Sequence, residues 1–253
     1  MNEVDNNKDY VVGYNPESAT RVFHFSWYKN QMTGWNKTSY VYLVIGILFL
    51  LYTGLSGGVT PLGVTSTIAG IIGFTCTLSI TNGRSINGLL GFVSAIMLIY
   101  VASVTGNFSD IIMQGAYVLL LDIPILFNSE WNKGTDIEPL KMKGIDYLKT
   151  FGYFVVFLAA TYGLDKVILM SPRPEIDALS ATIGLVGAVL TVKRFRASYY
   201  FWTAQGIMSI ILWGTTAMSG HPVWVLLFTY VLYLGNDLIA FTTSKWFHRK
   251  SKK

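Results

Sequence analysis

An all-α polytopic membrane protein is the fold class that this sequence predicts, and three observations predict it. Of 253 residues, 52% are apolar and only 13% are charged, whereas a water-soluble domain carries about a quarter charged residues. The apolar residues run continuously instead of alternating, which excludes a transmembrane β-barrel. The Lys and Arg residues are sorted to one side of the predicted spans. The same composition excludes a disordered chain, a coiled coil and a disulfide scaffold, and it argues against a soluble enzyme. The net charge of +5 follows from where the basic residues sit and does not point to nucleic acid.

The N-terminal stretch 1–38 is polar and shows no apolar core with a small-residue cleavage site, so no removable signal peptide is expected. Within it, RVFHFSWYKNQMTGW (residues 21–35) mixes aromatics with Arg and Lys. Phe23, Trp27 and Gln31 fall on one helical face, which predicts a helix lying on the bilayer or a simple aromatic anchor. A hydrocarbon core of about 30 Å needs about 20 residues of helix. Eight segments qualify, at 39–57, 62–81, 86–105, 111–128, 150–170, 178–194, 198–217 and 222–242. Backbone in lipid must bond internally, so each segment is expected to be a helix. Gly and Pro punctuate the short turns, as in Gly220-His221-Pro222.

With eight spans both ends share one side. All Lys and Arg except Lys166 and Arg173 then fall on that side. This places both termini in the cytoplasm of a multi-pass protein of the cell's inner (plasma) membrane. The basic tail KWFHRKSKK reads as a topology signal or as a contact for anionic membrane lipid.

Sliding the chain by 114 residues lays 67–131 over 181–245 without a gap. Gly70 meets Gly184, Gly73 meets Gly187, Thr77 meets Thr191 and Asp122 meets Asn236. Three helices and both of their turns coincide in order and length. Each unit starts outside and ends inside, so the two are parallel repeats, and transporters of that design hold their substrate between the repeats near mid-bilayer. The predicted layout is a tail at 1–38, an extra helix at 39–61 and a first repeat at 62–131. A loop and linker helix at 132–177, a second repeat at 178–245 and a basic tail at 246–253 complete it.

Several passages then resemble one family. They are Thr33-Gly34-Trp35-Asn36, Gly83-Arg84-Ser85, and the helix that ends Tyr117…Asp122…Phe127 ahead of Trp131. Tyr199-Tyr200-Phe201-Trp202 and Tyr233-Leu234-Gly235-Asn236-Asp237 follow. The chain is similar to the PnuC family of vitamin and nucleoside transporters, and the resemblance implies a SWEET-like 3+1+3 fold after an extra first helix. It further implies facilitated diffusion of nicotinamide riboside with trapping by phosphorylation inside the cell, or carriage of deoxynucleosides or thiamine in related branches. A homotrimer is implied as well. Where the nicotinamide riboside branch has W-x-x-W, this chain has Tyr199-x-x-Trp202. The family's following Asn is Gly206 here, beside Gln205, and its Gln at the end of the first repeat is Asp122.

Polar side chains inside spans are costly, so each is a candidate for function. Asp122 sits among Leu and Ile, and Asn236-Asp237 sit at the equivalent depth of the second repeat. A carboxylate facing a cavity could accept ribose hydroxyls or balance a cationic base; a packing hydrogen bond between helices is the other reading. Trp202, Gln205, Ser209 and Trp213 share one helical face, which suits stacking on a ring and bonding a carboxamide. Tryptophans in such proteins also serve as interfacial anchors, a role open to Trp202, Trp213 and Trp224. On the fourth segment Gln114, Val118 and Asp122 align with Tyr117 alongside, and on the eighth Tyr233 precedes Asn236. The candidate substrate-binding set is therefore Gln114, Tyr117, Asp122, Trp202, Gln205, Tyr233, Asn236 and Asp237. A pocket with an aromatic wall and a few polar groups is the usual small-molecule design.

The sequence offers no catalytic set. Lys166-x6-Arg173-Pro174 and Ser219-Gly220-His221 resemble two motifs of lipid-phosphate phosphatases, but the third motif with its attacking His is missing. The single Cys76 and the scattered His24, His221 and His248 form no metal site. No Walker-type loop and no cofactor signature are present, so passive uniport is expected.

Overall fold

The computed structural model is all-helical and describes residues 16–56, 58–132, 137–171, 174–221 and 223–248. Residues 1–15 of the N-terminal tail, Arg173 of the phosphatase-like motif, Pro222 and the basic tail beyond His248 lie outside the described residues. The long helices are α1 (Lys37–Leu55), α2 (Pro61–Thr81), α3 (Ile86–Thr105) and α4 (Phe108–Phe127). They continue with α5 (Gly144–Ile168), α6 (Pro174–Val192), α7 (Ser198–Met218) and α8 (Trp224–Thr243). Seven of them are long and apolar enough to cross a membrane. The exception is α7, which has the length but carries Ser198, Thr203, Gln205 and Ser209.

Local chemistry explains the helix ends. Asn36 accepts the Thr38 N–H at 3.2 Å ahead of α1, and Thr60 accepts the Gly63 N–H at 3.0 Å with Pro61 opening α2. Gly106 closes α3 in the left-handed region at φ 73°. The Lys143 N–H donates to Asp146 at 2.8 Å, which starts α5 six residues before the predicted segment. Two helices contain a π turn, at Val118–Asp122 in α4 and Leu164–Ile168 in α5. In α4 the cause is Pro124, which has no N–H to offer Leu120, and the ladder widens so that the Ile123 N–H reaches the Val118 carbonyl.

Six helices close a ring in the order α2, α3, α4, α6, α7, α8 and back to α2, each packed on the next. Outside it, α1 lies on α2 and α8, and α5 lies on α6. The helices α2 and α6 are the most buried of the spanning set, and α1 and α5 are among the most exposed. Two indoles tie the ring where α2 and α6 end. Trp131, after α4, donates to the Val192 carbonyl at 3.2 Å; Trp246, after α8, donates to the Ile80 carbonyl at 2.9 Å. Terminal helix carbonyls have no donor within their own helix, and each indole supplies one from outside it. The two rings lie 6.2 Å apart and are almost fully buried.

The segment ahead of α1 differs from its predicted form. A short 3-10 turn (Arg21–Phe23) and a helix (Phe25–Met32) are separated by extended backbone at His24. Trp27 and Gln31 are therefore buried, whereas Phe23 is 85% exposed and off their face. Gln31 instead accepts the Ile86 N–H at 3.1 Å, and Arg21 donates to the Asn132 carbonyl at 2.9 Å. Trp213 is also not an interfacial anchor: it is fully buried among apolar residues of α2, α3 and α8.

Candidate functional site

A cavity of about 110 Å³ lies inside the ring, lined from α2, α3, α4, α7 and α8. All eight candidate residues (Gln114, Tyr117, Asp122, Trp202, Gln205, Tyr233, Asn236 and Asp237) line it. Helix α6 shapes the wall from behind. A Cβ on Gly187 would lie 3.4 Å from the Trp202 indole, and one on Gly184 would collide with the Tyr117 hydroxyl. These glycines let the two aromatic rings seat against the α6 backbone.

The aromatic wall is held in place. Tyr117 and Trp202 meet edge to face at 5.8 Å, and the Trp202 indole N–H donates to Thr191 at 2.8 Å. Gln205, which lines the cavity, donates to Ser209 at 2.7 Å. Tyr230 and Tyr233 meet edge to face at 5.0 Å on the α8 side.

Two carboxylates sit in this wall. Asp122 ends the π turn of α4, and its carboxylate rests on Gly91, where a Cβ would come within 2.1 Å of Oδ1. Among the described residues no donor meets that carboxylate. Asp237 accepts the Thr203 hydroxyl at 2.8 Å through one oxygen. Asn236 is engaged at both ends: it accepts from Thr81 at 2.8 Å and donates to the Thr77 carbonyl at 3.3 Å. It joins α8 to α2, which is the packing role weighed for it above. No Lys or Arg appears among the described residues that line the cavity.

The π turn changes which α4 residues reach inward. Regular spacing aligns Gln114, Val118 and Asp122, but the wider turn presents Gln114, Tyr117, Leu121 and Asp122, with Val118 off the wall. Tyr199 and Tyr230 also line the cavity and were not among the candidates. Tyr199 bonds Thr81 at 3.0 Å and so extends the Asn236 network. Its position three residues before Trp202 was the available signal. Lys166 donates to the Tyr162 hydroxyl at 2.8 Å on the exposed flank of α5, away from this cavity.

Apolar helices of spanning length around a cavity with an aromatic, carboxyl-bearing wall define a membrane transporter for a small molecule. Comparison with known proteins agrees. The family model for the nicotinamide mononucleotide transporter matches residues 63–248. The nicotinamide riboside transporter PnuC of Neisseria mucosa is 23% identical over 239 residues, 87% of this chain and 86% of the relative. PnuC of Haemophilus influenzae is 26% identical over 223 residues, 83% of this chain and 90% of the relative. The crystal structure of the vitamin B3 transporter PnuC superposes with a TM-score of 0.75 at 20% identity, covering 86% of this chain and 94% of that one. This chain belongs to the nicotinamide mononucleotide transporter family, so it is a transporter and not an enzyme.

Proposed function

We propose that the chain carries nicotinamide riboside by facilitated diffusion, with accumulation left to phosphorylation of the riboside inside the cell. The composition of the cavity wall carries this reading. Nicotinamide riboside combines a cationic pyridinium ring, a carboxamide and an uncharged sugar. Trp202 and Tyr117 offer rings to the pyridinium, Gln205 offers an amide to the carboxamide, and Asp122 offers a negative charge. A mononucleotide would bring a phosphate into a wall with no Lys or Arg among its described residues to pair with it. The names of both bacterial relatives support the riboside.

The architecture we assign has eight spans, with α7 as the eighth, in a 3+1+3 arrangement after α1. Gln205 lines the cavity, and Thr203 and Ser209 bond the cavity residues Asp237 and Gln205, which accounts for polar residues in α7 without removing it from the membrane. Reciprocal contacts between α2–α4 and α6–α8 support two equivalent units. The Trp131 and Trp246 bonds exchange between them, and Gly70 of α2 abuts Thr229 of α8 as Gly184 of α6 abuts Tyr117 of α4. Both termini then lie in the cytoplasm by the placement of Lys and Arg.

Proteoliposomes holding the purified chain test the function. Labelled nicotinamide riboside should enter and stop at the external concentration, with thiamine and deoxynucleosides competing poorly and the mononucleotide excluded. Entry of the mononucleotide at the riboside's rate overturns the substrate assignment, and accumulation above the external level overturns the passive mechanism.

A further inference from the structure

A second cavity, of about 200 Å³, lies at the opposite end of the ring from the paired indoles. Its wall includes Ser109, Asp110 and Met113 of α4, Ser171 and Asp177 near the start of α6, and Met208 of α7. Asp110 is only 3% exposed and its Oδ2 meets no hydrogen-bond partner. Asp165, 1% exposed in the π turn of α5, accepts the Ser109 hydroxyl at 2.5 Å beside it. Asp177 accepts the Ser171 hydroxyl at 2.6 Å across the same space.

We infer that this cavity is a first-encounter site for an organic monocation, ahead of the central cavity. A buried carboxylate oxygen without a donor is costly in its charged form unless a positive charge meets it. The described His, Cys, Asp and Glu residues form no group of three or more that could hold a metal ion. A diffuse cation such as a pyridinium ring needs no such coordination and suits an apolar wall carrying spaced carboxylates. The two cavities are separated by one layer of side chains. Gln114 lines the central cavity and donates to Asp110 at 3.4 Å; Met113 lines the outer one and contacts Gln205 through its sulfur at 3.9 Å. A cation leaving Asp110 therefore meets Gln114 and Gln205 next.

The inference rests on the riboside being the solute, and the experiment separates the two. Initial uptake of cationic nicotinamide riboside and of its neutral reduced form is measured in proteoliposomes of wild type, Asp110→Asn and Asp165→Asn. Failure of wild type to take up either compound defeats the riboside reading itself. With uptake present, Asp110→Asn should raise the KM for the cation relative to that for the neutral form by about five- to ten-fold, the scale of one lost charge contact near a protein surface. Asp165→Asn should shift the same ratio in the same direction, and it decides the matter if Asp110→Asn does not fold. Added salt should weaken the wild type's preference for the cation more than the variant's. An unchanged ratio, or equal losses for both compounds, overturns the inference. So does uphill uptake driven by a sodium or proton gradient that Asp110→Asn abolishes, because the occupant would then be an inorganic cation.

Discussion

Asp122 and Asn236 stand 114 residues apart, paired by the offset that aligns the two parts of the sequence, and their side chains are bonded differently. The amide of Asn236 is spent on Thr81 and Thr77, while the carboxylate of Asp122 is met by no protein donor among the described residues. Under the proposed function, the cationic riboside supplies the partner Asp122 lacks. Asp122→Asn keeps the shape and removes the charge, so it should raise the KM for nicotinamide riboside about ten-fold with the fold intact. Trp202→Ala removes the ring that Thr191 and Gly187 hold in place, and it should cut initial uptake by about ten-fold. Uptake kinetics and a melting curve on the same preparations check both. If neither variant alters transport, these residues do not contact the solute. The polar candidates were legible because a Gln or Asp inside an apolar run has few other reasons to be there. Tyr199 and Tyr230 were not, since a tyrosine in such a helix serves equally as anchor, core or wall.

At the scale of the helix, the position of Asp122 depends on Gly91 and Pro124. The proline opens the α4 ladder, and the glycine lets the carboxylate lie against α3. A methyl group at position 91 would sit 2.1 Å from Oδ1 and 2.8 Å from Cγ, so the carboxylate must move. Gly91→Ala should therefore reproduce the affinity loss of Asp122→Asn while also lowering the melting temperature, which binding and thermal unfolding measured together would show. The apolar segments were legible because an unbroken run of about 20 apolar residues suits a membrane span and little else. The π turns were not, because only Pro124 hints at one and nothing in the sequence marks the turn at Leu164–Ile168. The break at His24 was equally hidden: aromatic spacing alone cannot show that Gln31 is drawn off to the start of α3. The outer cavity escaped notice because its residues belong to different helices and come together only in the folded chain.

At the scale of the whole molecule, the ring of helices encloses one more group of interest, the thiol of Cys76. It is the only cysteine in the chain, it lines the central cavity beside Thr77, and it donates to the Asn87 carbonyl at 3.2 Å. If the central cavity carries the solute as proposed, Cys76 is a single chemical reporter in the permeation route, and no mutation is needed to use it. A small thiol reagent with a quaternary ammonium head should label the unaltered protein slowly, limited by how often the route opens. Saturating nicotinamide riboside should slow that labelling further, and a solute that is not carried should leave it unchanged, as mass spectrometry of the intact chain would record.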